Sequence, residues 1–559
     1  AHRATNSQTE RETDTEGAME DKHSKPHAIM VPLPRQGHVI PFTHLALKLA
    51  SNGFTITFVN TQIIHHQITK SESNGSEGQE DIFAAARKSG LDIRYRTVSD
   101  GFPLAFNRSQ NLDQYLEGLL HVFPAHVDEL VGNLVQSDPS ISCLIADTFH
   151  TWPATISNKY NLVHVSFWTE TAFVLCIYYH MDLLRKNGHF GSHDNREDTI
   201  DYIPGVQAIE PKDLVSHLQA TNTSTAAHRI LYKAFQQVTN ANFILCNTVQ
   251  ELESQSLLAL QEKQPTYAIG PVFPNKATKS VVVAATNLIS EFDCTEWVNA
   301  KPPGSVLYIS FGSYAQVTKN VVEEIAHGLL LSRVSFIWVL RPDTISHGEL
   351  ETSILPVGFE DEIKDRGLIV PWCSQIEVLS NPAIGGFLTH CGWNSILESM
   401  WCGVPMLCYP ILTDQTTNRK LVVDDWGIGL NLCDGIKPIT RMEVAEKINR
   451  LMSGRLGDGL QKEIKKTRQK LEDGLAVNGS SQKNLCQFIS DNLLLLATAI
   501  SNITTKFQDP QPRRLPPPLM LLGRLVLRLK KLERTKLVGL SHGRRSLRIK
   551  AAAVLVEPV

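Results

Sequence analysis

Short, mostly apolar runs alternate with amphipathic stretches along most of the chain. HAIMVPL, from His27, reads as a buried strand, PRQGH as a turn, and VIPFTHLALKLASNG as a helix with apolar positions three and four apart that Gly53 closes. FTITFVN is the next strand and completes a βαβ unit. SCLIAD, TWPATISNKYN and LVHVSFW repeat strand, helix and strand, and FILCNT adds another strand. After the proline-bearing stretch at 270–274 a second set follows. SVLYISF, VSFIWVL, GLIVPW, GGFLTH and PMLCYP are its strands, and VVEEIAHGLLLS and SILESMW its helices. Strands alternating with helices predict parallel, doubly wound sheets. Two such sets predict an α/β chain of two domains, 27–270 and 295–476, joined by a linker at 271–294, with a ligand crevice between their carboxyl-end edges.

The 559 residues are 42% apolar and 20% charged, enough for two large cores and unlike a low-complexity chain. The net charge of −3 conceals an asymmetry: residues 501–559 carry 13 Lys/Arg against 3 Asp/Glu, which leaves −13 on residues 1–500. An acidic body lacks the clustered cations that phosphate backbones require, so nucleic acid is excluded as a partner. Ten isolated cysteines without a CxxC pair read as buried free thiols in a reducing compartment. No long apolar run or signal-peptide core is present, which predicts a cytoplasmic protein without stable membrane insertion. Residues 1–26 read as a disordered leader, with 1–18 translated ahead of a start at Met19. Residues 498–559 read as a disordered basic, Pro/Leu-rich tail. Its stretch Leu519–Leu532 could form a cationic amphipathic helix, but the tail is better explained as an extension foreign to the folded unit.

Candidate chemistry concentrates between Trp372 and Gln415. GGFLTH is a buried strand, Cys391-Gly392-Trp393-Asn394-Ser395 a tight strand-to-helix turn, and Ser395 the expected N-cap of ILESMW. A helix N-terminus with free N–H groups attracts a phosphate, and Gly392 lets the backbone approach it. His390 can donate to the same anion, while Glu398, one turn further on, suits a ribose diol. Asp414 and Gln415 set acceptors beside an amide, the groups a sugar needs. By itself, such a turn is more plainly explained as a structural cap next to a buried histidine.

The whole segment, 44 residues long, resembles the signature of plant secondary-product UDP-glycosyltransferases. Similarity runs from about His27 to about Leu495, through the P-x-x-x-Q-G-H-x-x-P start, the Asp closing SCLIAD, the SFGS turn and WGIGL. The resemblance implies a GT-B fold of two Rossmann-like domains facing a crevice, with a C-terminal helix (477–497) that returns to the first domain. It implies inverting transfer of a sugar from a UDP-sugar to a small lipophilic acceptor, such as a phenolic, flavonoid or terpenoid. By the same resemblance, Trp372 stacks on uracil, Cys373 reads its edge, and Gln375 and Glu398 take the ribose. His390, Asn394, Ser395 and Ser313 hold the diphosphate, and Trp393, Asp414, Gln415 and Thr169 grip the sugar. Gln415 points to UDP-glucose. The chain departs from the family pattern at Cys373-Ser374, where Ala-Pro is frequent, and at Trp401-Cys402, where small residues are usual.

Inverting transfer to a hydroxyl needs a base, and a histidine is the side chain suited to that work at neutral pH. His38, in the turn after the first strand, and Asp147, at the end of SCLIAD, fall on one sheet edge, where the carboxylate would orient the imidazole. Alone, each is more simply a solvated turn residue or a helix cap; together they match the family's base and its partner. The Asn394-Ser395 helix end can stabilise the leaving diphosphate, and with no Asp-x-Asp motif a metal cofactor is not expected. The rival readings are a UDP-sugar epimerase or hydrolase on the same scaffold and a non-catalytic UDP-sugar-binding protein.

Overall fold

Seven strands of the first half pair in parallel: β1 (His27–Val31), β2 (Thr55–Thr61), β3 (Ile93–Val98), β4 (Ile141–Asp147), β5 (Val163–Trp168), β6 (Phe243–Cys246) and β7 (Thr266–Ala268). This computed structural model describes residues 25–72, 81–273, 291–344, 354–433 and 438–506. The leader read at 1–18, Met19, most of the linker and the helix read at Leu519–Leu532 lie outside the described residues. The strand order is β3-β2-β1-β4-β5-β6-β7. A second parallel sheet, in the order β10-β9-β8-β11-β12-β13, is built from β8 (Val306–Ser310), β9 (Ser335–Val339), β10 (Gly367–Val370), β11 (Ile384–Thr389), β12 (Met406–Cys408) and β13 (Gly429–Asn431). Pro26–Leu496 is one compact unit that holds both sheets. Every residue of β1, β2 and β8 is buried, because helices cover both faces of each sheet; this is why these strands are mostly apolar, with polar residues such as His27, Thr57 and Asn60 buried among them.

The helices that matter for the site are α1 (Gln36–Ser51), α2 (Leu112–His121), α3 (Ala226–Val238), α4 (Gln375–Leu379), α5 (Trp393–Cys402), α6 (Gln415–Lys420) and α7 (Ser480–Lys506). In the first sheet, chain order reverses between β1 and β4; in the second, between β8 and β11. These are the two switch points, where neighbouring crossovers leave in opposite directions and open a crevice beyond the carboxyl ends.

Some local expectations are corrected. Gln36-Gly37-His38 is not a free turn but the first turn of α1, entered from an extended Arg35. Ser395 is not the cap of its helix. Gly392, in extended conformation, takes that place and Ser395 lies inside the first turn, because Cys391 absorbs the chain reversal with φ +68°. The edge strand β3 escaped the sequence reading because its outward positions are Arg94 and Arg96, which break the apolar run although the alternation of IRYRTV remains. None of the ten cysteines forms a disulfide, but only seven are buried: Cys402 and Cys433 are half-buried, and Cys486 lies on the exposed side of α7. Trp401 fills the space where small residues are usual in the family and packs on Phe273, with ring centroids 5.7 Å apart.

Helix α7 docks on the first sheet's core. Leu485 and Phe488 are fully buried in the cluster that contains Phe42 and Phe243, and Asn484 Nδ2 and Ser481 Oγ donate to the carbonyls of Ala268 and Gly270 at 2.9 and 2.5 Å. Tyr267 donates its hydroxyl to Asp491 at 2.6 Å. Among the described residues, no helix is long and apolar enough to cross a membrane. Phe488→Ala should therefore cost about 3–5 kcal/mol of stability, read from a denaturant midpoint; a loss below about 1 kcal/mol would mean that α7 contributes little to the core.

Candidate active site

The carboxyl ends of the two sheets enclose a cleft of about 680 Å³. The chain after β1 supplies His38 and the end of β4 supplies Asp147, so the pair flanks the first sheet's switch point. His38 Nδ1 lies 2.8 Å from Asp147 Oδ2 and 3.0 Å from Thr169 Oγ1. His38 is 16% exposed and Asp147 1%. Phe149 N–H donates to the second oxygen, Asp147 Oδ1, at 3.0 Å, and the Phe149 ring meets the imidazole edge-on. Burial raises the pKa of Asp147, but the charge and hydrogen bond of His38 outweigh it and hold the carboxylate below its ordinary range. An ionised Asp147 accepts Nδ1–H, which leaves Nε2 as the basic nitrogen.

Across the cleft stands the end of α5. Its first internal bond runs from Ile396 N–H to Gly392 O, so the N–H groups of Trp393, Asn394 and Ser395 have no partner within the helix. His390 is buried between Gly312 and Gly392. Its Nδ1 has no partner among the described residues, and burial followed by the nearby Arg341 lowers its pKa to about 4. Arg341 is itself held by the carbonyls of Gly312 and Ala315, which ties the Ser310–Ser313 turn to β9's end. Beside the helix end, Gln375 Nε2 donates to Ser395 Oγ at 2.9 Å and to Glu398 Oε2 at 2.7 Å. Removal from bulk water raises Glu398 to about 7, only partly offset by Gln375.

Thirteen of the fourteen residues selected from the sequence line this cleft; the fourteenth, Asp147, lies behind His38. Their side chains are not all free. The Trp393 indole is buried and donates to Asn247 O at 2.9 Å, so only its backbone N–H can meet a sugar. Asn394 Nδ2 donates to Gly37 O at 2.7 Å, and Gln415 Oε1 accepts from Ile411 and Leu412 N–H at 2.9 and 3.0 Å. Asp414 accepts from Thr413 Oγ1 and Asn418 Nδ2; burial raises it, and these bonds oppose the shift. The apolar wall includes Phe149. Leu112, Tyr115, Leu116 and Leu119 on α2 and Ala227, Ile230 and Leu231 on α3 form the rest of it. Sequence reasoning missed both helices; the amphipathic spacing of LDQYLEGLLH was the available signal.

Residues 248–455 match the family model described as UDP-glucoronosyl and UDP-glucosyl transferase. The chain is 59% identical over 488 residues to UDP-glycosyltransferase 86A1 of Arabidopsis thaliana, covering 86% of this chain and 97% of the relative. The chain belongs to the UDP-glycosyltransferase family. It is 34% identical to 7-deoxyloganetin glucosyltransferase of Catharanthus roseus, over 84% of this chain and 97% of that one. The structure of Phytolacca americana UGT2 complexed with UDP-2fluoro-glucose and pterostilbene superposes with a TM-score of 0.67 at 26% identity, over 84% of this chain and 99% of that one. The two parallel sheets are thus the two Rossmann-like domains of the family's GT-B fold.

One glycine of this glycosyltransferase's cleft tests the geometry. Gly312 has φ +72°, and a Cβ there would meet His390 Nε2 at 2.5 Å. Gly312→Ala should weaken UDP binding about tenfold in calorimetry, through backbone strain and a displaced His390; unchanged affinity would place the diphosphate away from this turn.

Proposed function

We propose that this glycosyltransferase transfers glucose from UDP-glucose to a hydroxyl of a small lipophilic acceptor with inversion, using His38 as general base. The observation that carries the reading is the His38–Asp147 bond of 2.8 Å at one switch point, facing the unpartnered N–H groups of α5 at the other. An acceptor hydroxyl lying on the apolar wall gives its proton to Nε2 as its oxygen attacks the anomeric carbon. Asp147 holds the ring's tautomer and stabilises the imidazolium that forms. The bond to the diphosphate breaks on the opposite face of the sugar, and the charge that develops there meets the α5 dipole and His390. Glu398 and Gln375 take the ribose, Trp372 and the backbone of Cys373 the uracil, and Ser313 the diphosphate. Asp414, the Gln415 amide, Thr169 and the Trp393 N–H take the hexose. None of these steps calls on a metal.

The wall formed by Leu112, Leu116, Leu119, Ile230 and Phe149 suits a flat apolar acceptor such as a phenol, flavonoid or terpenoid alcohol. Ten cysteines without a disulfide among them accord with a cytosolic setting.

His38→Ala should lower kcat with UDP-glucose and a phenolic acceptor by about 10²–10⁴-fold while UDP affinity stays within about twofold. Retained turnover in that variant would remove His38 as the base. Rapid UDP release from wild-type protein without acceptor would instead mark a hydrolase, and formation of a new UDP-sugar an epimerase.

A further inference from the structure

Glu170 follows Thr169 directly after β5, on the same sheet edge as His38, and faces the cleft from a mostly buried position. Its Oε2 is buried and has no hydrogen-bond partner among the described residues. The carboxyl groups around it differ in this respect. Asp147 is bonded to His38 and Phe149 N–H, and Asp414 to Thr413 and Asn418. The charged groups that act on Glu170 are those two carboxylates. Burial first, then Asp414 and Asp147, push its pKa well above the ordinary value, which favours the protonated carboxyl group, a donor as well as an acceptor. An unpartnered buried polar atom is costly, and a ligand hydroxyl that satisfies it recovers that cost.

Its place selects which substrate supplies the hydroxyl. Asp147 marks the base, and Asp414 lies on the opposite sheet's edge, at the start of α6. The part of either substrate that must lie between base and diphosphate is the transferred sugar. We propose that Glu170 is a specificity-determining residue for that sugar: its carboxyl group hydrogen-bonds a hydroxyl of a neutral hexose and bars a uronic acid from the same place. A sugar carboxylate there would crowd a third acid against Asp147 and Asp414, whereas a hexose hydroxyl both gives and takes a hydrogen bond. This inference rests on the UDP-hexose transfer proposed above.

The test is steady-state kinetics of wild type, Glu170→Gln and Glu170→Ala with UDP-glucose and UDP-glucuronic acid at a fixed phenolic acceptor. UDP affinity, measured by calorimetry, reports on folding of each variant. Wild type should prefer UDP-glucose by at least ~100-fold in kcat/KM. Glu170→Gln, neutral and able to donate, should keep the KM for UDP-glucose within about threefold. Glu170→Ala should raise that KM about tenfold, the effect of one lost hydrogen bond, with acceptor KM and UDP affinity unchanged. A Glu170→Ala effect confined to the acceptor KM, or no effect on either KM, overturns the proposal while leaving hexose transfer intact. Loss of UDP affinity in both variants also overturns it, since the residue would then be structural. Absence of turnover of any UDP-sugar by wild type would instead sink the transferase reading, and this inference with it.

Discussion

A hydrogen bond ties the turn that carries His38 to the N-terminal end of α5: Asn394 Nδ2 donates to Gly37 O at 2.7 Å. The acceptor exists because of Pro41. Proline has no N–H, so at its place inside α1 it cannot bond the carbonyl one turn earlier, and that carbonyl belongs to Gly37. The defect in α1 therefore becomes a docking point for α5. Gly37 adjoins His38, so the bond fixes the distance between the base and the N–H groups opposite. It is one of several bonds that set the two switch points relative to each other.

Other bonds cross the cleft beside it. Trp393 Nε1 reaches Asn247 O, and Thr413 and Ser216 exchange two bonds of 2.9 Å. Thr416 and Thr417 donate to the carbonyls of Leu214 and Asp213, and Arg419 pairs with Asp213. Each bond is worth only about 1 kcal/mol net, so the register of the halves is held by their number and direction. This also explains why Trp393 and Asn394, which the family resemblance assigns to ligands, spend their side chains on the other half of the protein. What remains free for a ligand is their backbone N–H; what they offer the fold is specific to their side chains.

Much of this was legible in the chain. The buried strands are apolar-rich because both faces of each sheet are covered, and the 44 residues from Trp372 to Gln415 carry a family pattern along with its turn. His38 and Asp147 could be placed on one edge because each follows or ends a strand. Features that depend on how separate elements meet were not legible. The cap at Gly392 rather than Ser395 depends on Cys391 adopting φ +68°, which nothing in its residue type announces. The acceptor wall comes from α2 and α3, whose apolar faces look like ordinary core until the cleft is seen between them. Glu170 reads as one more polar residue after a strand, and only the neighbouring carboxyls and its unbonded oxygen set it apart.

The central claim is spatial: an acceptor hydroxyl is held at His38 Nε2 while the diphosphate rests on the α5 N-terminus. The most direct test is a crystal structure of the ternary complex with a non-transferable UDP-fluoroglucose and a phenolic acceptor. The account predicts the acceptor oxygen about 2.6–3.2 Å from His38 Nε2, the anomeric carbon beyond it on the side of α5, and the diphosphate oxygens on the N–H groups of Trp393, Asn394 and Ser395. An acceptor oxygen bonded to a different group, or a diphosphate seated away from α5, would contradict it.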